Sequence, residues 1–185
     1  YCKIIIPSGT MLKSFYLNNI VYYISGSASV IFVLSFFQPG LFRIAVLILI
    51  LLVVAILLDG LLLFSKRKGL KAERITTDRF SIGDPNKVVI QLCNKYSFPV
   101  RASVVDELPI QFQERNWIRK SEIESDPVDI EYLLQPTTRG EYVFGNINVF
   151  VHGPLQLVKR RYIFPATQTV KVYPSYIQMR RYQLL

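Results

Sequence analysis

Between Ile20 and Phe64 only Arg43 and Asp59 are charged, and Gln38-Pro39-Gly40 is the one clear break in the apolar run. That stretch decides what the chain can become. The first half, Ile20 to Phe37, has 18 residues, or roughly 27 Å as a helix. The second, Leu41 to Phe64, has 24 residues, or roughly 36 Å. A bilayer core is about 30 Å thick. Pro and Gly are turn residues, and so short a connection makes the two helices antiparallel neighbours. The spacing predicts a two-helix transmembrane hairpin over 19–64. A cleaved signal peptide is the competing reading of the first helix. The segment is long, no small-x-small site precedes Gln38, and a second span follows at once.

Placement of Lys and Arg orients the hairpin. Lys13 precedes it, and the flank after it holds Lys66, Arg67, Lys68 and Lys71 without an acid. Both termini are therefore expected on the cytoplasmic side of a bacterial inner membrane, in a multi-pass protein whose β domain is also cytoplasmic. Arg43 lies just inside the second helix at the turn end and is expected to snorkel outward. Asp59, the one acid in the spans, falls at about the depth of Tyr22 and Tyr23. A membrane carboxylate is a functional hypothesis by default. This one sits near the inner interface, so snorkelling or a tyrosine hydrogen bond is the expected use, and one carboxylate in two helices cannot build a transport path. Ser25-Gly26-Ser27-Ala28-Ser29 offers small residues that let helix backbones approach.

The formal charge of the 185 residues is +9 and 51% are hydrophobic, but neither property is spread evenly. From Ala72 onward 15 Lys or Arg face 12 Asp or Glu, a balance of +3. The basic excess is thus a membrane-flank signal, with no indication of nucleic acid. Cys2 and Cys93 offer no zinc spacing and no disulfide framework. The lone His152 has no ligand partner at metal spacing. Asp106-Glu107 reads as a strand-to-loop cap, since adjacent strand residues point to opposite faces. Lys159-Arg160-Arg161-Tyr162 reads as a solvated strand edge that blocks sheet-to-sheet pairing, with anionic lipid or nucleic acid as the alternative. No phosphate loop and no nucleophile–base pattern is present, so no catalytic residue, cofactor site or metal site is assigned and the segment is expected to be non-enzymatic.

Residues 72–173 alternate in short runs. Extended stretches are expected at 72–80, 87–93, 100–105, 130–134, 141–151, 155–164 and 169–173, with Gly and Pro in the joints. Strands at this interval predict an all-β, immunoglobulin-like sandwich. Residues 113–129, with Trp117, read as a long loop or irregular edge. Pro174-Ser175 reads as the start of a C-terminal helix over 174–185. The expected plan is an N-terminal cytoplasmic segment over 1–18, the hairpin over 19–64, a basic linker over 65–71, the sandwich over 72–173 and the helix start. Residues 1–10 precede the first Met and are expected to be non-native. A helix unfinished at Leu185 predicts that the protein continues.

The order of motifs points to a family. Arg79-Phe80-Ser81-Ile82-Gly83-Asp84-Pro85-Asn86 follows the basic flank. Then come Asp106-Glu107-Leu108-Pro109, Gln111-Phe112, Gln135-Pro136-Thr137-Thr138-Arg139-Gly140-Glu141-Tyr142-Val143-Phe144-Gly145, Gly153-Pro154-Leu155-Gln156-Leu157 and Val172-Tyr173-Pro174-Ser175. From Met11 to Leu185 this resembles the N-terminal half of the bacterial "domain of unknown function 58" family. The resemblance implies a larger cytoplasmic region after Leu185, similar to a von Willebrand factor A domain. It also implies a MoxR-type AAA+ ATPase as partner in a chaperone-like or envelope-related system. The leading expectation is a non-catalytic, membrane-anchored interaction or scaffold module. The alternatives are an enzyme whose active residues lie beyond Leu185, and an anionic-lipid sensor using Lys66 to Lys71.

Overall fold

The computed structural model describes residues 14–66, 69–114, 117–124 and 126–174. The expected helix start at Ser175 lies outside them, as do Cys2, Arg67 and Lys68. Helix α1 spans Asn19–Leu34 and α2 spans Gly40–Ser65. The first is shorter than expected, 16 residues, about 24 Å. Ser35 caps its end, with its amide bonded to the Ile31 carbonyl. Phe36 and Phe37 instead close tight turns onto Val33 and Leu34. The helices pack together, with Val21 and Ala28 buried on α1 and Ala45 and Leu52 buried on α2. Those positions recur every seven residues, the repeat that keeps one stripe facing a neighbour. Ala28 lies on that stripe, whereas Gly26 is exposed with open space around it.

The remainder is a β-sandwich. Its strands are β1 (Phe15–Leu17), β2 (Leu70–Thr76), β3 (Arg79–Ser81), β4 (Asn86–Asn94), β5 (Val100–Asp106), β6 (Ile118–Ile123), β7 (Val128–Leu134), β8 (Gly140–Phe144), β9 (Ile147–His152), β10 (Val158–Phe164) and β11 (Gln168–Tyr173). One sheet has the order β1-β10-β9-β5-β6, a second β2-β4-β7 and a third β3-β11-β8. All pairings are antiparallel except β3 with β11. Alternation buries Val88, Ile90 and Leu92 of β4 and Ile147, Val149 and Val151 of β9 in a single core.

Three expectations change in detail. The run 141–151 is two strands in two sheets, because the chain bends at Gly145-Asn146; its hairpin partner bends likewise at 165–167. Residues 113–129 contain the edge strand β6, which is paired on one side only. Its four central residues, Arg119 to Glu122, are all polar, which hid it, while Trp117 is buried against Tyr132 at 4.4 Å. Finally, β1 precedes the helices yet pairs with β10 of the sandwich, and β2 begins at Leu70, inside the stretch read as a linker.

The bends share one polar core. Arg74 of β2 donates to the carbonyls of Gly145 and Ala166, one at each bend, and pairs with the carboxylate of Asp106. Tyr132 donates its hydroxyl to the same carboxylate. Burial first, and the Asp106 charge second, push the Tyr132 hydroxyl far above the ordinary tyrosine range. Asp106 is therefore an internal partner, not the strand-to-loop cap expected for it. Removing one member of a buried pair leaves an uncompensated charge, at a cost of about 3–5 kcal/mol. Asp106→Ala should lower the denaturation midpoint of the detergent-solubilised chain accordingly, followed by Trp117 fluorescence. An unchanged midpoint would mean that Arg74 is satisfied without it.

Candidate functional site: the junction of helix α2 and the sandwich

Five residues, Gly153-Pro154-Leu155-Gln156-Leu157, join β9 to β10 in a tight turn, with the amide of Gln156 bonded to the Gly153 carbonyl. Gln156 holds a left-handed backbone, φ 57°. The turn points several amides away from the sheet, and burial obliges each to find a partner. Asp59 supplies it. One carboxylate oxygen accepts from Leu155 N at 3.0 Å, and the other accepts from Leu157 N at 3.0 Å and Val158 N at 2.9 Å. Asp59 is fully buried. Neither expected use of it is realised: it does not snorkel, and Tyr22 and Tyr23 point away into the open. A carboxylate accepting several amides is the arrangement that makes its burial tolerable.

The carbonyls of the turn go to the other helix. Asn18, the N-cap of α1, donates its side-chain amide to Gln156 O at 2.6 Å and its backbone amide to Leu157 O at 2.8 Å. The turn is thus gripped from both helices. A side chain on Gly153 would collide with the Asp59 carboxylate, so only glycine permits the approach.

One and a half turns further on, the sandwich caps the end of α2. The last carbonyls of a helix lack internal partners. Arg160 donates to Leu63 O at 2.9 Å and Lys66 O at 2.8 Å, and the Tyr96 hydroxyl reaches Leu63 O at 2.9 Å. The Arg160 guanidinium lies over the rings of Phe64 and Tyr162, 4.5 and 4.6 Å from their centroids. A cation there also complements the helix dipole. Burial, reinforced by Tyr162, raises the Tyr96 hydroxyl far above the ordinary tyrosine range, so it stays protonated. Its one proton goes to Leu63 O, and Tyr162 therefore donates to Tyr96. Lys66 extends to Lys95 O at 2.8 Å. A Cβ on Gly69 would strike the Tyr96 ring.

Of the residues singled out from sequence, Asp59 and Lys66 meet at this junction. Lys71 is half-buried in β2 and Arg43 is exposed in the first turn of α2. Arg160 reverses its expected role: β10 lies between β1 and β9, so Arg160 faces inward while Lys159 and Arg161 alternate outward. Asn18 and Tyr96 carried no signal in the sequence, and Gly153 was read only as part of a motif, because their roles depend on partners up to 138 residues away. His152 ends β9, as expected. Its imidazole is held below the ordinary histidine range by burial, then by the charges of Lys159, Lys120 and Arg101. Among the described residues no three His, Cys, Asp or Glu converge on a metal position.

No family model and no curated protein matches the chain. Solved structures similar to it include the CARDB domain of a Pyrococcus furiosus protein, crystallised in complex with di-metal ions. It is 15% identical over 56% of this chain and 87% of that one, with a TM-score of 0.37. A solution structure of that domain gives 14% identity, 58% and 96% coverage, and a TM-score of 0.38. Likeness at this level carries no functional argument.

Two outcomes follow from the geometry. Asp59→Leu leaves three amides without their acceptor, and the two that are buried, Leu157 N and Val158 N, cost about 1–3 kcal/mol each. Hydrogen exchange at Leu155, Leu157 and Val158 should accelerate strongly, and protection equal to the wild type would contradict the bonding. A depressed histidine is protonated first in the unfolded chain. Stability should therefore fall as pH drops from about 7.5 to 5.5, and His152→Gln should lessen that fall. An identical pH dependence in both proteins would remove His152 from the account.

Proposed function

We propose that the chain is a membrane-anchored, non-catalytic interaction or scaffold module, in which α1 and α2 form a transmembrane hairpin and the sandwich is held at the cytoplasmic face of a bacterial inner membrane. The observation that carries this reading is the junction itself. A helix whose lateral surface is apolar on nearly all sides has its last turns built into the sandwich by Asp59, Arg160 and Tyr96. Helix α2 has 26 residues, about 39 Å, and is long and apolar enough to cross a bilayer. Helix α1 is shorter; the exposed Phe36-Phe37 turn extends its apolar reach. Exposed Ile50, Leu51, Leu57, Leu58 and Leu61 would be a heavy cost in water. The order β2-β4-β7 against β10-β9-β5-β6 supports an immunoglobulin-like reading of the sandwich.

Such a junction sets the height and orientation of whatever the sandwich carries or binds. With the motif resemblance, this favours the N-terminal part of a "domain of unknown function 58" protein that partners a MoxR-type AAA+ ATPase. The alternatives remain an enzyme with its active residues beyond Leu185 and an anionic-lipid sensor.

Carbonate extraction and reconstitution test the two parts. The chain should stay in the membrane pellet at alkaline pH. Nanodiscs that contain it should retain a purified MoxR-type ATPase that empty nanodiscs do not. Release by carbonate would refute anchoring, and equal retention by empty discs would remove the ATPase assignment.

A further inference from the structure

The outer face of the five-stranded sheet carries a row of side chains across all five strands. Tyr16 of β1 pairs with Lys159 of β10, Lys159 with His152 of β9, His152 with Arg101 of β5, and Arg101 with Glu122 of β6. Residues directly opposite in a sheet share a face and lie within side-chain reach, and like charges so placed repel. Lys120 projects from the next row of the same face, opposite Ser103. Three cations thus gather around one histidine, with Glu122 as the acid beside them; it reaches Arg101 at 3.6 Å, and both side chains are more than half exposed. Between them lies an open groove of about 440 Å³, floored by Ala102 and Ser103 and closed at one end by Gln156.

The position of the row gives the groove its meaning. It is the last row of the sheet before the β9–β10 turn, and that turn is the element bonded to Asp59 of α2. Tyr16 is two residues from the N-cap of α1. Gln156 lies between Leu155 and Leu157, whose amides both bind Asp59. Leu155, at the tip of the turn, is exposed. The cationic end of the sheet therefore sits at the foot of both helices. Tyrosine and lysine there match the composition of a headgroup layer, and each cation near an anionic leaflet adds to attraction.

We propose that this groove binds the phosphate headgroup of an anionic phospholipid in the leaflet next to the sandwich, held by Lys159, Lys120 and Arg101 with His152 between them. The proposal rests on the reading that the helices span a membrane. It differs from a polybasic flank because the cations come from separate strands and are fixed in register, whereas Lys66 is occupied by Lys95 O.

The chain has a single histidine, so the His152 imidazole gives one resonance to follow. In detergent micelles, phosphatidylglycerol should shift it saturably and phosphatidylcholine should not. The double variant Lys120→Gln/Lys159→Gln should weaken that response roughly tenfold or more, while the flank variant Lys68→Gln/Lys71→Gln should leave it unchanged. An unchanged Trp117 emission shows that the variants remain folded. No shift with phosphatidylglycerol, an equal shift with phosphatidylcholine, or indifference to the double variant would overturn the site. Saturation of the same shift by inorganic phosphate at equal affinity would reassign it to free phosphate. Flotation with phosphatidylcholine vesicles separates the two readings: a chain that fails to float refutes the membrane span whatever His152 reports.

Discussion

A carboxylate buried in an apolar helix is costly unless every oxygen is used. Asp59 meets that condition with amides that belong to the sandwich, and the rest of the architecture follows from it. The carboxylate needs the β9–β10 turn as much as the turn needs an acceptor. Because the turn is short, fixing it also fixes β9, the central strand of the five-stranded sheet, and its neighbour β10. Gly153 allows the approach, Asn18 takes the carbonyls left over, and Arg160 and Tyr96 satisfy the last carbonyls of α2. Helix and sandwich are joined by backbone groups that neither can satisfy alone. A flexible basic linker would leave both ends unsatisfied.

A second polar centre keeps the sandwich itself in shape. Arg74 bridges the two strand bends and is neutralised by Asp106, with Tyr132 completing the carboxylate. Both centres use the same logic: a charged side chain enters the interior only where fixed partners surround it. In each case the charge comes from one element and most of the partners from others, which makes the packing specific.

Much of the fold was legible in local pattern. The apolar run and its Pro-Gly break gave the two helices, and period-two alternation gave most of the sandwich strands. The polar edge strand β6 was hidden because only one of its faces is buried. Strand β1 was hidden because three residues before a helix carry too little pattern. The junction was only partly legible. A lone carboxylate in an apolar helix marked Asp59 as unusual, but its depth along the helix pointed to the interface, and nothing local linked it to amides almost a hundred residues later. Arg160 was misread for the opposite reason: in the run Lys159-Arg160-Arg161 three charges look alike, and only the register of β10 sends the middle one inward.

The central claim is that Asp59 makes the helix and the sandwich one rigid unit. Electron–electron spin distances test it most directly, with labels at Leu61→Cys on α2 and Leu133→Cys on β7, both exposed sites, and with Cys2 and Cys93 replaced by Ser. In nanodiscs the account predicts one narrow distance distribution, which Asp59→Leu broadens. A distribution equally broad with and without the carboxylate would contradict it.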